Sequence, residues 1–184
     1  MSSYEKSKYK SWGNLKKQMS DLLCDTLKNK ISYFYTTYRE VRATYGRATI
    51  NCDGKELVAF SWQMRYEQWE DEYKILNNTN VDIQHLGSSS AVRERQKQIQ
   101  EELSKEKWMP NCILCDGDFV YAVTSYLKTD ITASLNSDNY ILRVFAYMDR
   151  RVGKRTLIKI KDDADALPEW VKQFYRIRCK AEGL

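Results

Sequence analysis

"YGRATINCDGKELVAFSW", Tyr45–Trp62, is the stretch whose reading decides the fold. Ala48 and Ile50 alternate along its first half. Val58, Phe60 and Trp62, followed by Met64 and Tyr66, alternate along the second. That period of two is the mark of a half-buried strand. Asp53-Gly54 stands between the runs and marks a hairpin, because both residue types tolerate the positive φ of a tight turn. Register is then the question. A two-residue loop pairs Cys52 with Lys55 and Ile50 with Leu57, which leaves Val58, Phe60 and Trp62 on the face away from Ile50. A three-residue loop with a glycine bulge puts Ile50 and the Val58–Trp62 row on one face. The odd loop is the expectation.

Working outward, ISYFYTTYR (31–39) is rich in aromatic and β-branched residues and supplies a further strand. Before it, Trp12, Leu15, Met19, Leu22, Leu23 and Leu27 fall at helical spacing, which predicts an amphipathic helix over about 12–28 with Ser11 as its N-cap. Residues 1–10 read as a frayed tail. After the hairpin, residues 66–76 fit a strand or a helix. The polar run 77–90 reads as a linker or loop. Helices follow. Val92, Gln96, Ile99 and Leu103 form a thin stripe closed by Pro110. Shorter helices follow Asp118 and Asp130, Asp138 can cap one from Asn139, and Pro168 opens the last. The expected fold class is α+β: an N-terminal helix with a three-stranded antiparallel meander, then a mostly helical C-terminal lobe. The expected units are an α+β lobe (1–76), a linker or loop (77–90) and a helical lobe (91–184), compatible with one continuous domain.

The 184 residues include 13 Tyr and 5 Trp, too aromatic for a disordered chain. No apolar run reaches the ~18 residues that span a bilayer, and the N-terminus has no secretory pattern. Five scattered cysteines then read as reduced thiols in a cytoplasmic protein. The net charge is +5, and its placement is uneven. Residues 139–184 carry 11 Lys and Arg against 6 Asp and Glu, while residues 1–138 balance at 19 of each. Such asymmetry points to an acidic partner.

Catalytic motifs fail one by one. Gly153-Lys154 suggests a phosphate cradle, but Met148 stands where its first glycine belongs and Arg155 where its Ser or Thr belongs. Cys112-Ile113-Leu114-Cys115 lacks two further zinc ligands and lacks the βαβ context of a redox pair, so two buried small residues are expected. The single histidine, His85, beside Ser88–Ser90, makes no triad. Glu67, Glu70, Asp71 and Glu72, like Asp162, Asp163 and Asp165, read as solvated charge. No catalytic residue, metal site or cofactor is expected.

The C-terminal helices carry the remaining signal. Ile141, Phe145, Met148 and Val152 form a core stripe, and Gly153 is expected to end that helix. Arg143, Tyr147, Arg150 and Lys154 form a second stripe beside Arg151 and Arg155. On the last helix Lys172, Arg176 and Lys180 recur every fourth residue. These nine residues are the candidate binding set, either for an acidic protein or for phosphates. A solvated surface paired to Asp149, Asp162 and Asp163 is the competing account.

"LKKQMSDLLCDTLKNKISYFYTTYR", "YGRATINCDGKELVAFS", "YMDRRVGKRTL" and "PEWVKQFYRIRCKAEGL" together resemble a family of small uncharacterised bacterial proteins typified by a Shigella flexneri hypothetical protein. The resemblance implies a bacterial cytosolic protein and brings no activity or catalytic residue. It singles out Asp149, Arg150, Arg151, Gly153, Lys154 and Arg155. The functional expectation is therefore a non-enzymatic protein-interaction module, immunity- or antitoxin-like. Nucleic-acid binding through the basic helices is the alternative. No membrane association and no small-molecule ligand are expected, and the oligomeric state is open.

Overall fold

The computed structural model describes residues 11–40, 43–78 and 90–184. The tail 1–10 and most of the polar run 77–90, with His85 and two of its neighbouring serines, lie outside the described residues.

Helix α1 (Trp12–Leu22) leads into strands β1 (Ile31–Glu40), β2 (Ala43–Cys52) and β3 (Lys55–Ser61), an antiparallel meander in that order. The α+β layout expected from the sequence is the one observed. The hairpin register resolves in an unexpected way. Cys52 pairs with Lys55, so the loop has two residues, Asp53 (φ 50°) and Gly54 (φ 77°). Yet Ile50 pairs with Val58, because the register shifts between Ile50 and Asn51 and leaves Leu57 as the extra residue. The odd residue is a bulge inside β3, not a third loop position. Ala48, Ile50, Val58 and Phe60 consequently share the buried face.

The alternation through Met64 and Tyr66 does not continue the strand. β3 stops at Ser61, and Trp62 opens α2 (Trp62–Asn78), which also absorbs the first two residues of the expected linker. Beyond it come α3 (Ser90–Leu103), a π-helical segment (Ser104–Trp108), α4 (Met109–Asn111), α5 (Asp116–Tyr126), α6 (Ile131–Leu135), α7 (Tyr140–Met148), α8 (Lys154–Lys159), α9 (Lys161–Asp165) and α10 (Glu169–Glu182). Caps explain several starts. Asp130 accepts from the amides of Thr132 and Ala133, and Asn139, rather than Asp138, accepts from Ile141. Pro168 sits one position ahead of α10, and Gly183 (φ 71°) ends it.

Phe119 on α5 stands at the centre of the core. Its ring meets Trp12 at 5.9 Å, Phe60 at 5.1 Å and Phe145 at 5.9 Å. Phe145 in turn meets Tyr33 and Tyr126. One buried cluster thus joins α1, the sheet, α5, α7 and α10.

Two boundaries differ from expectation. α1 ends at Leu22, and the chain then makes turns to Lys30 that still bury Leu23 and Leu27. Leu23 forms a β-bridge with Asp149. Cys24 N donates to Met148 O (3.0 Å) and Arg150 N to Leu22 O (2.8 Å). Correspondingly α7 ends at Met148, with Asp149 extended (ψ 137°), and Gly153 precedes α8 as its N-cap instead of ending α7.

Candidate interaction surfaces and a polar cleft

That break at Asp149 dissolves the expected second stripe. Arg143 and Tyr147 lie on α7, Arg150 and Arg151 in the turn, and Lys154 and Arg155 on α8, so no single helix face holds them. Tyr147 is buried against Tyr175 (5.5 Å) and takes no part in the surface. Arg143 Nε donates to Ser137 O. Lys154 donates to Glu182 O, Lys172 reaches Asp165 O and Glu169, and Arg176 pairs with Glu169. Arg150, Arg155 and Lys180 are exposed. Local bonds within the chain tie up more than half of the expected set.

Arg151 is bound most tightly. Asp149 is 1% exposed, and its carboxylate accepts from Arg151 N (2.8 Å), Arg151 Nε (3.0 Å), Arg151 Nη2 (2.7 Å) and Tyr126 Oη (2.6 Å). Burial and then the Asp149 carboxylate push the Tyr126 phenol far above its ordinary value, so it stays a donor. Every acceptor position of the carboxylate is used. This is a structural lock that holds Arg151 and Tyr126 to the turn after α7.

The carboxylates of α2 divide. Glu67 and Glu70 are exposed, whereas Asp71 and Glu72 are buried, contrary to the expected solvated edge. Asp71 accepts from Lys107 Nζ (2.6 Å) and Trp108 Nε1 (3.0 Å). Glu72 Oε2 accepts from Gln96 and Gln100. Burial alone would raise the Asp71 carboxyl, but the Lys107 and Trp108 hydrogen bonds outweigh it and hold it below its ordinary 3.8. A depressed folded value means stability that is present above the unfolded value and lost as pH falls through the folded one. In urea titrations, wild type is therefore expected to lose stability below about pH 4, where Asp71→Asn shows a flatter dependence. Parallel curves for the two proteins would exclude this pairing as a source of acid sensitivity.

Beside these groups lies a cavity of about 610 Å³ between α2, α3, the π-helical segment and α5, lined among others by Arg65, Gln68, Gln100, Trp108, Leu114 and Asp118. Cys112 and Cys115 flank its wall residue Leu114 in sequence. Burial pushes their thiols up to about 12 and about 11, the opposite of the lowered value a redox or nucleophilic thiol needs. Among the described residues no three His, Cys, Asp or Glu side chains gather as metal ligands.

One exposed surface lies outside the sequence-based expectations. Trp62, Tyr66, Trp69 and Tyr73 recur on α2 at spacings of four, three and four, the period of one helix face. Tyr66, Trp69 and Tyr73 are 48%, 42% and 56% exposed. The rings of Trp62, Tyr66 and Trp69 meet edge to face at 5.5–6.1 Å. Trp62 and Tyr66 also line an apolar groove with Tyr38 and Tyr45 of the sheet. Their spacing was the available signal, obscured because Trp62 and Tyr66 fit a strand equally well.

Fold and surface define an α+β protein with an exposed aromatic face on α2. The chain belongs to the SF0329 protein family, an uncharacterised family whose model matches residues 11–179. No curated protein and no solved structure matches it. Among the described residues no helix is long and apolar enough to cross a membrane.

Proposed function

We propose that this is a bacterial cytosolic, non-enzymatic protein-interaction module that docks a protein partner through the aromatic face of α2. The observation that carries the reading is the row Trp62, Tyr66, Trp69 and Tyr73, three of them substantially exposed. Large aromatic side chains supply most interface energy at small conformational cost, and contiguous exposed apolar surface marks contact sites. The net charge of +5 with exposed Arg150, Arg155 and Lys180 favours an acidic partner. Free thiols at Cys24 and Cys115, both buried, suit a reducing compartment. An immunity- or antitoxin-like role fits a small protein of this design.

Nucleic-acid binding draws on the same exposed cations, but Arg151, Lys154, Lys172 and Arg176 are already engaged within the chain. The two readings separate in one experiment. A pull-down from a bacterial host lysate is run with wild type and with Trp69→Ala/Tyr73→Ala. The double variant is expected to weaken protein capture roughly a hundred-fold or more, as for two interface anchors, while its stability stays within about 1 kcal/mol of wild type, as surface substitutions do. Recovery of nucleic acid alone, with retention falling steeply in salt, would refute the protein-docking reading.

A further inference from the structure

Three side chains on the wall of the 610 Å³ cavity form a relay of cation, amide and anion. Arg65 Nη1 donates to Gln68 Oε1 at 3.0 Å, and Gln68 Nε2 donates to Asp118 Oδ2 at 3.1 Å. Gln68 is 2% exposed and is fixed further by a 2.9 Å bond to Ile113 O. Arg65 is held on its other sides by the Trp69 ring, 5.3 Å from its Cζ, and by Glu72, 3.9 Å away. Asp118 is anchored by the Cys115 amide. A guanidinium and a carboxylate are thus displayed at a fixed separation, bridged by one buried amide. Such an arrangement matches a small molecule that carries both signs of charge on neighbouring atoms.

Further observations mark the same place. The π-helical segment brings Ser104, Lys105 and Trp108 to the cavity, and such insertions concentrate at functional sites. Cys112, just before Leu114 of the wall, is held at φ 56°, a left-handed conformation rare for a residue with a side chain. Glu72 Oε1 is buried without a hydrogen-bond partner beside Arg65. Trp108, Met109 and Leu114 give the cleft an apolar side.

We propose that this cleft binds a free amino acid with an apolar side chain. Its carboxylate pairs with Arg65, its ammonium with Asp118, and its side chain rests on Trp108, Met109 and Leu114. The proposal departs from the sequence expectation of no small-molecule ligand, and it does not rest on the docking role of α2.

Isothermal titration of the full chain tests it, using L-phenylalanine and L-leucine beside N-acetyl-L-phenylalanine and L-phenylalaninamide. The free amino acids are expected to bind, and each blocked analogue to bind about ten-fold or more weakly, since each loses one charged hydrogen-bonding group. Arg65→Gln and Asp118→Asn are each expected to weaken L-phenylalanine by about ten- to a hundred-fold. No binding of either free amino acid at millimolar concentration overturns the proposal, as do blocked analogues that bind equally well. The analogue comparison on wild type decides the matter even if a variant folds poorly.

Discussion

Asp149→Ala is expected to cost about 2–4 kcal/mol of stability, because the buried Tyr126 hydroxyl loses its acceptor and the charged hydrogen bonds from Arg151 are lost, although the Arg151 side chain, 41% exposed, stays solvated. For a chain of this length each kcal/mol moves the melting temperature by roughly 2–4 °C, so thermal denaturation should begin about 4–16 °C lower. The size follows from what the carboxylate does. Four donors converge on it, from Tyr126 and three positions of Arg151. Without it the Tyr126 hydroxyl loses its 2.6 Å acceptor inside the core, and the turn that carries the Leu23 bridge loses its brace. Tyr126→Phe removes one donor and leaves the other three, so a loss nearer 1 kcal/mol is expected. Melting of Asp149→Ala within two or so degrees of wild type would show that the bridge holds without the carboxylate.

Phe119→Ala is expected to be of similar severity, about 3–5 kcal/mol. The side chain is fully buried and its ring touches Trp12 from α1, Phe60 from β3 and Phe145 from α7. Truncation opens a cavity where helices and sheet meet, and none of these neighbours can close over it without leaving the others. Phe119→Leu keeps most of the volume and should cost under about 1.5 kcal/mol. Urea midpoints measure both. A Phe119→Ala midpoint equal to that of Phe119→Leu would mean that the surrounding rings collapse into the space.

The meander was legible because strand chemistry and turn chemistry agree on it. Alternation from Ala48 to Phe60 and the Asp53-Gly54 turn both point to a hairpin. The bulge at Leu57 was not legible. Loop length and an in-strand bulge shift the register by the same single residue, so the apolar pattern reports their sum. The end of β3 was hidden for a related reason. Positions i and i+4 share a face in a strand and in a helix, and Trp62 and Tyr66 satisfy both periods. The aromatic face of α2 disappeared with that misassignment. At the other end, Ile141, Phe145, Met148 and Val152 are all buried as their spacing predicts, yet the helix stops at Met148. The Asp149 carboxylate accepts the Arg151 amide, and Val152 N donates to Asp149 O, so a turn returns Val152 to the core at helical spacing without a helix. The basic set was legible as composition and not as a surface, because partners such as Glu182 O and Asp165 O are backbone atoms that no charge count reveals.

The bridge between Leu23 and Asp149 also bears on how the protein is made. Synthesis delivers Asp149 126 residues after Leu23. Until then the turn after α1 lacks the Met148 carbonyl that receives Cys24 N and the Arg150 amide that reaches Leu22 O. Contacts so distant in sequence form late and slowly. During synthesis the segment after α1 therefore waits for backbone partners 126 residues further along, and that interval is when a chaperone would find it.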